Sequence, residues 1–276
     1  MEILYMGTGA AEGIPALFCH CRVCENARKQ KGREQRTRCQ ALINQELLID
    51  FGPDTYTHYL RYDFPLPDIK TLLVTHSHTD HFYVTDLGMR REGLANPVPE
   101  VLELYGDKTV GEKFYAEFSQ NERVLRRNNF HEAVFFTPLD HPKYEIIPLR
   151  ANHDKAEACV FYSIRERKNG KAILYAHDTG IFQEDTWDFL ENLPVCYGLV
   201  SLDCNSMLGR DGRNHMGYQD DLEVLERLRK MGRIDQNTVV VLNHFSHNSN
   251  VTHEEMVQAT ADAGIRIAYD GMVCQI

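Results

Sequence analysis

The 276-residue sequence lacks several features that mark particular classes of protein. No apolar run approaches the roughly 18–20 residues that span a bilayer, so we expect no membrane association. No internal repeat, low-complexity tract or Pro/Gly/Ser-rich linker divides the chain, which favours one domain over residues 1–276. The first residues, MEILYMGTGAA, lack the basic start and apolar stretch of a signal peptide, so a cytoplasmic location is the default expectation.

Basic residues are also in the minority, since 30 Lys and Arg face 40 Asp and Glu, for a formal net charge of −10. Binding to nucleic acid relies on Lys and Arg displacing counterions from phosphates, so this balance argues against a nucleic-acid partner. The sequence is compatible with a homodimer. A local basic run does occur near the N-terminus, and we interpret it as a solvated helix and loop. It comprises Arg22, Arg28, Lys29, Lys31, Arg33, Arg36 and Arg38.

Hydrophobic residues make up 43% of the chain and charged residues 25%, as in ordinary globular enzymes. Short apolar runs predict β-strands; they are EILYM, ALIN, ELLID, TLLVT, VLELY, AVFF, YEIIPL, CVFYSI, AILYA, GLVSL, TVVVL and RIAY. Helices are predicted at 220–231, which Gly232 ends, and from the Thr252–Glu255 capping box to Gly264. Weaker helical patterns cover 20–31, 54–61, 108–118 and 185–192. Strands interrupted by helices indicate two sheets covered by helices, a layered α/β sandwich.

The glycine-rich stretch G-T-G-A-A-E-G, residues 7–13, resembles a dinucleotide-binding fingerprint only weakly. Its third glycine comes one position late, and Ile14-Pro15 follows where a helix should begin. We therefore interpret the stretch as a tight turn that leaves the first strand.

The densest group of potential metal ligands is T-H-S-H-T-D-H, residues 75–81, directly after the apolar run TLLV. Its candidate ligands are His76, His78, Asp80 and His81. Three imidazoles and one carboxylate within six residues favour metal binding over a solvated surface. His76 and His78 can serve one ion, while Asp80 and His81 serve a second. This donor set suits Zn, Mn or Fe better than Ca or Mg.

A second group of potential ligands is C-x-C-x-x-C, formed by Cys19, Cys21 and Cys24 among eight cysteines. In a reducing compartment such spacing favours thiolate metal ligands over disulfides. Three thiolates need a fourth ligand to complete the tetrahedron of a structural zinc site, and the adjacent His20 is poorly placed for it. Further along, N-H-F-S-H (243–247) contains two histidines three residues apart. The residues alone leave open whether these serve one metal, two sites or neither.

The H-x-H-x-D-H motif after a strand resembles the signature of the metallo-β-lactamase superfamily. That resemblance implies a four-layer αββα sandwich with two metal ions between the sheets. It also implies that Asp50, in L-I-D-F-G (48–52), braces the histidine loop. The implied ligands of the first ion are His76, His78, His153 and Asp178, and those of the second are Asp80, His81, Asp178 and His244. His177 stands where a small residue is expected, so it lies either beside the ligands or simply in the core.

The cysteine group resembles one branch of that superfamily, the PhnP-type phosphoribosyl cyclic phosphodiesterases. The branch's motifs occur here in order: G-T-G-A-A-E-G-I-P-A, C-x-C-x-x-C, L-I-D, H-x-H-x-D-H, N-H, D-T, D-C, N-H, H-x-S-H and D-G-M. The resemblance implies a structural zinc ion on Cys19, Cys21, Cys24 and His247. It further implies a catalytic histidine, His215, near the substrate phosphate, with Asp80 counted as catalytic as well as a ligand. Met216-Gly217 departs from the branch, which leaves the substrate open.

The expected function is hydrolysis of a small, cyclic phosphodiester such as 5-phosphoribosyl 1,2-cyclic phosphate. Two divalent ions, Mn or Zn or else Fe, would share the attacking hydroxide. Three alternatives remain: a tRNA 3′-end processing nuclease, a thioester or lactone hydrolase, and a non-catalytic carrier resembling PqqB. The segments 154–177 and 179–214 are short and not especially basic, which argues against the tRNA arm of the first. The complete set of seven active-site ligands favours an enzyme over a carrier.

Overall fold

Thirteen strands form two β-sheets in a computed structural model that describes all residues 1–276. The strands are β1 (Glu2–Gly7), β2 (Gln40–Ile43), β3 (Leu47–Ile49), β4 (Thr71–Leu73), β5 (Leu102–Gly106), β6 (Asn128–Glu132), β7 (Tyr144–Arg150), β8 (Val160–Glu166), β9 (Ala172–Ala176), β10 (Leu199–Asp203), β11 (Val239–Asn243), β12 (Arg266–Ile267) and β13 (Met272–Gln275). One sheet has the order β13-β1-β2-β3-β4-β5-β6, and the other has the order β12-β11-β10-β9-β8-β7.

Seven α-helices cover the sheets. They are α1 (Arg22–Gln30), α2 (Thr55–Tyr62), α3 (Lys108–Phe118), α4 (Glu122–Leu125), α5 (Glu184–Asn192), α6 (Tyr218–Lys230) and α7 (His253–Thr260). None of them combines the length and the apolarity that crossing a bilayer requires.

Side chains that alternate along β1 separate two apolar cores. Ile3 and Tyr5 belong to the core that also contains β7 to β11 and the inner faces of α5, α6 and α7. Leu4 and Met6 point the other way, into a core that α3 covers with Val110 and other residues. This alternation is what a strand buried on both faces requires. The resulting order of helices, sheet, sheet and helices confirms the αββα sandwich.

The carboxyl ends of several strands gather at one edge of the sandwich, because β3, β4 and β5 are parallel in one sheet and β9, β10 and β11 in the other. Three residues placed directly after these strands have left-handed backbone: Asp50 (φ 65°), Asp178 (φ 51°) and His244 (φ 63°). Non-glycine residues rarely adopt this conformation, and where they do it marks turns and functional sites. The chain thus turns sharply at these three predicted site residues.

Most of the predicted elements are confirmed, including all six helices and the reciprocal capping box of Thr252 and Glu255. The strand predicted at AVFF is wrong, since β6 lies just upstream of it. Phe136 takes a positive φ of 61° and stacks on Phe189 of α5, so these aromatics pack as a loop. β13 and α4 were not predicted. The glycine stretch forms the predicted turn, and a Cβ on Gly7 would meet the Arg38 carbonyl oxygen at 1.9 Å.

Candidate metal centres

A first triplet of imidazoles, His76, His78 and His153, meets between the two sheets. His76 and His78 lie in the loop after β4, and His153 follows β7 in the opposite sheet. The His153 Nε2 atom lies 3.5 Å from His78 Nδ1, and one ring nitrogen of each residue lies within 4.8 Å of the others. The structure therefore brings together three of the predicted ligands of the first ion.

A second triplet, Asp80, His81 and His244, lies beside the first. His81 Nε2 is 3.1 Å from Asp80 Oδ2, and the ligand atoms of the three residues all fall within 4.8 Å. His81 and His244 are only 1% exposed, whereas the side chain of His78 in the first triplet is 42% exposed. Water therefore reaches the second triplet less easily than the first. These are the residues predicted for the second ion.

Asp178 lies between the two triplets, as the resemblance implies. Its Oδ2 atom is 3.0 Å from His81 Nε2 and 3.1 Å from His244 Nε2, while Oδ1 is 3.7 Å from His153 Nε2. Several of the converging buried atoms have no well-aligned hydrogen-bond partner; they are His76 Nε2, His81 Nε2, His244 Nε2 and Asp178 Oδ2. Buried polar atoms without partners are costly, and these four converge on the space where the predicted ions would sit. The residues thus fit a pair of divalent ions, although metal binding stays a prediction.

The ring nitrogens that face away from this centre are also engaged. The pairs are His81 Nδ1 with Asp50 Oδ2 at 2.8 Å, His244 Nδ1 with Asp203 Oδ2 at 3.0 Å, His78 Nε2 with Asp154 Oδ2 at 3.2 Å, His76 Nδ1 with Thr75 Oγ1 at 3.1 Å, and His153 Nδ1 with the Asn214 carbonyl at 3.0 Å. Such outer partners fix the tautomer and orientation of metal-ligating histidines. Asp50 therefore has the bracing place predicted for it, on the histidine loop.

The charges of this cluster favour a cation. Burial alone would lower the pKa of His81, but Asp178, Asp80 and Asp50 outweigh it and raise that pKa well above its usual value. Burial would raise the pKa of Asp178, yet His244 and His81 hold it well below the normal range. The carboxylates therefore stay ionised and draw positive charge into a buried space.

Asp203, at the end of β10, is a site residue that the sequence reasoning missed. Besides facing His244, its Oδ2 atom lies 3.0 Å from His215 Nδ1 and accepts the Asp178 N–H. Burial alone would lower the pKa of His215, but the carboxylate of Asp203 outweighs it and raises that pKa to about 9. A sequence signal for Asp203 was present, because this residue stands at the end of an apolar strand. Asp50 and Asp178, which were predicted, likewise come just after apolar strands. His215 itself lies against the ring of His153 at 4.9 Å and that of His244 at 5.3 Å, beside the predicted ligands.

His177 does not join the cluster. It is buried, its Nε2 atom lies 2.7 Å from Ser201 Oγ on the neighbouring strand, and its ring packs on Tyr175. Burial, together with the nearby His244, lowers the pKa of His177 to about 3, so it is a neutral core residue. Of the two interpretations of His177, the core position is the one observed.

The cysteine group meets His247 as predicted. The Sγ atoms of Cys19 and Cys21 lie 3.5 and 3.4 Å from His247 Nδ1, and all four candidate ligand atoms lie within 4.8 Å of one another. Burial opposes ionisation of Cys21, but hydrogen bonds from Cys24 N–H and His247 lower its pKa to about 6. His20 points away and pairs with Glu25 on the surface. A closed set of three sulfurs and one nitrogen is a donor set that suits structural zinc.

The basic run near these cysteines is dispersed among acidic partners. Arg22 pairs with Glu255, and Arg38 pairs with Asp54. Arg36 departs from the predicted solvated face, since it is 4% exposed and stacks 4.2 Å above Phe245, the residue after His244. The run is therefore only partly a solvated surface, with Arg36 buried and with Arg22 and Arg38 paired to carboxylates.

Comparison with curated proteins gives one short match. Over 85 residues the chain is 34% identical to an octanoyltransferase from Porphyromonas gingivalis. The match covers 29% of this chain and 16% of that protein, so the chain spans only a small part of that relative's length.

Similar solved structures cover the whole chain at low identity. A diphosphatase from the PhnP family has a TM-score of 0.76 at 20% identity, with 100% of this chain and 97% of that chain covered. Zn²⁺-bound PqqB from Methylobacterium extorquens has a TM-score of 0.68 at 17% identity, with both chains covered completely. The short form of human tRNase Z has a TM-score of 0.67 at 18% identity, covering 100% of this chain and 99% of that one.

Residues 45–269 match the family model described as a beta-lactamase superfamily domain. That span contains both triplets, Asp178 and His247, while the three cysteines precede it. With the two-sheet sandwich and full-length similarity to structures of the same fold, the chain belongs to the beta-lactamase superfamily and has the metallo-β-lactamase fold.

Proposed function

We propose that this protein is a metal-dependent phosphodiesterase acting on a small, cyclic phosphodiester. The observation that carries the proposal is the pair of ligand triplets that share the buried Asp178. His76, His78 and His153 would hold one ion, and Asp80, His81 and His244 the other. When bound, divalent ions at such a site lower the pKa of a water molecule toward neutrality and offset charge that develops on phosphoryl oxygens. Zn, Mn or Fe would suit these donors.

His215 is the proposed proton donor to the leaving oxygen. Because Asp203 binds the Nδ1 side of its ring, the imidazole keeps a fixed tautomer and its other nitrogen is left for the substrate. The ring lies against His153 and His244, beside the site where phosphorus would sit, and its side chain is 23% exposed. This arrangement of carboxylate, imidazole and substrate is a usual one for general acid catalysis.

The substrate class is tested with a panel assayed on the purified protein loaded with Mn²⁺ or Zn²⁺. The panel contains 5-phosphoribosyl 1,2-cyclic phosphate, 2′,3′-cyclic nucleotides, inorganic diphosphate, precursor tRNA and a lactone. We expect the cyclic phosphodiesters to give the highest kcat/KM. A higher kcat/KM for any other compound of the panel would identify that compound's class as the substrate class instead. The same set of metal ligands can serve hydrolysis of several kinds of electrophile.

A second candidate function is hydrolysis of an acyl thioester. The observation in its favour is the 85-residue match to an octanoyltransferase, a protein named for transfer of an acyl group. An octanoyl thioester therefore joins the panel. Turnover of that compound with none of the phosphodiesters would favour this function over the proposed one.

Two further alternatives have less support. A tRNA-processing nuclease would need a basic arm, whereas β7 and β8 are joined here by the short segment 151–159. A non-catalytic carrier would not need the complete set of seven converging residues. Precursor tRNA in the panel tests the first of these alternatives. Failure of every substrate with fully loaded protein would favour the second.

A further inference from the structure

Ser77 lies between the predicted ligands His76 and His78, and two side chains that the proposed reaction does not use hold its backbone. Glu157 Oε2 accepts the Ser77 N–H at 2.9 Å. The Lys113 Nζ atom donates to the Ser77 carbonyl oxygen at 2.6 Å and to the Phe82 carbonyl oxygen at 3.2 Å. The backbone of the histidine loop is thus fixed at Ser77 and again at Phe82.

Glu157 also faces the imidazole of His78. Its Oε1 atom lies 3.7 Å from His78 Nε2, beside Asp154 Oδ2 at 3.2 Å. The two carboxylates differ in environment, since the Glu157 side chain is 5% exposed and that of Asp154 is 38% exposed. Burying a carboxylate to this extent costs free energy unless its partners compensate. The partners of Glu157 are the Ser77 N–H and the neighbouring positive charge of Lys113.

The fold places both residues rigidly. Asp107 caps α3 by accepting Val110 N–H at 2.9 Å, and its other oxygen accepts Ala158 N–H at 3.1 Å. This carboxylate therefore ties the start of the helix that carries Lys113 to the residue after Glu157. The Val160 N–H donates to the Thr75 carbonyl at 2.9 Å, which fastens the same segment to the histidine loop.

We propose that Glu157 and Lys113 are positioning residues that orient His76 and His78 for the metal ion that these two share with His153. The inference rests on the metal centre of the proposed function. Rotation of the Ser77 backbone would move the flanking imidazoles on both sides, so the contacts of Glu157 and Lys113 fix where their nitrogens point. The other triplet has separate support, because Asp50 holds His81 Nδ1 and the Phe51 N–H binds the His81 carbonyl. Loss of Glu157 should therefore affect one ion and spare the other, whereas Lys113, which also holds the Phe82 carbonyl next to His81, should affect the first ion more than the second.

The test is a Zn²⁺ titration of the metal-free protein in competition with a chromophoric chelator, without substrate. The Glu157→Ala variant should bind one active-site equivalent about 10–100-fold more weakly, the usual effect of losing an outer partner of a ligand. The second active-site equivalent and the cysteine-bound equivalent should be unchanged. Glu157→Gln keeps an acceptor for the Ser77 N–H and should recover most of the affinity. Glu112→Ala is the matched control, because Glu112 lies on the wall of the same groove but touches no residue of the loop.

Unchanged affinities in Glu157→Ala would overturn the proposal, and so would an equal loss at all equivalents, which indicates a general structural role. Circular dichroism checks that each variant folds. If Glu157→Ala does not fold, Lys113→Met decides, since it should weaken the equivalent held by His76 and His78 more than the other, and an unchanged affinity would overturn the assignment. Normal two-ion binding without hydrolysis of any panel substrate would count against the proposed reaction alone.

Discussion

The two candidate metal centres of this protein share one loop but differ in what surrounds their ligands. The His/Asp cluster uses nitrogen and oxygen donors, and it opens toward solvent at His78 and His215. The Cys/His cluster offers four donors that complete a tetrahedron by themselves. A closed tetrahedral site is typical of structural zinc, whereas catalysis needs an open position. The difference in ligand number and access therefore supports the proposal that the two centres have different roles within one fold.

The loop N-H-F-S-H connects these two centres. His244 faces Asp178 and His247 faces the cysteines, and the positive φ of His244 turns the chain between them. Phe245 is fixed at its N–H by the Thr8 carbonyl at 3.1 Å and at its ring by Arg36. Only two residues, Phe245 and Ser246, separate the histidine of one cluster from the histidine of the other.

The largest expected effect follows from Asp178→Ala. This change removes the carboxylate that faces both triplets, so the His/Asp cluster should lose its ions. The rate of hydrolysis of bis-p-nitrophenyl phosphate should fall as a result. We expect a loss of about 10³-fold or more, since several kcal/mol of charge stabilisation disappear. Metal analysis should find about three equivalents in the wild-type protein and the cysteine-bound one retained in the variant. Asp188→Ala, an exposed carboxylate on α5, should change neither quantity.

His215→Ala should have the next largest effect, confined to catalysis. A general acid typically contributes 10²–10⁴-fold, and the loss should be greatest for an alkoxide leaving group, which needs the proton. The loss should be much smaller for p-nitrophenolate, which leaves without one. The measurement is kcat/KM of each variant on a cyclic alkyl phosphodiester and on bis-p-nitrophenyl phosphate. Equal losses on the two substrates, or loss of a metal equivalent, would remove His215 from the role of proton donor.

Much of the His/Asp cluster could be predicted because its residues follow apolar strands in recognisable motifs. His76, His78, Asp80 and His81 lie within six residues of one another, so their proximity is a local property. Parallel strands then bring distant strand ends together, which is why Asp178 and His244 could be placed by resemblance. The prediction succeeded where local pattern and sheet topology agree.

The outer partners could not be predicted in the same way. Asp154 and Glu157 lie in the segment between β7 and β8, whose course depends on tertiary packing. Asp203 ends an apolar strand, but its imidazole partners His215 and His244 are brought to it only by the tertiary fold. Arg36 illustrates the same limit, because a surface guanidinium and one stacked on Phe245 look identical in sequence. The strand prediction at AVFF was wrong for a related reason. Apolar residues that pack a loop against a helix give the same sequence pattern as a short buried strand.

A smaller effect on activity and a clear effect on stability should follow from Cys21→Ser. Loss of a thiolate should release the structural zinc, and we expect the melting temperature to fall by about 5–10 °C, given a few degrees per kcal/mol at this chain length. Hydrolysis should decline less than in Asp178→Ala, because the His/Asp ligands remain. His20→Ala is the control, since that exposed side chain pairs only with Glu25. Unaltered melting together with an unchanged zinc content would contradict a structural zinc site.

The smallest effect on activity is expected at Asp221, a fully buried carboxyl on α6 behind the His/Asp cluster. Unlike Asp203, whose imidazole neighbours keep it ionised, Asp221 has no well-aligned hydrogen-bond partner for either carboxylate oxygen. Burial therefore raises the pKa of Asp221 well above its usual value. The folded protein retains this proton while the unfolded chain loses it near pH 4, so the contribution of Asp221 to stability is highest below that pH and decreases as pH rises toward the folded pKa.

Asp221→Asn keeps the shape of the side chain and removes its titration, which isolates this contribution. The decrease in stability can reach about 1.4 kcal/mol per pH unit, so the wild-type melting temperature should fall more steeply between pH 5 and pH 8 than that of the variant. Both proteins are compared at the same zinc concentration, with Asp188→Asn as an exposed control. Parallel melting curves across this range would mean that Asp221 finds a partner or is ionised in the folded protein. A difference in slope would show that Asp221 keeps its proton in the folded protein, in contrast to Asp203, which two imidazoles face.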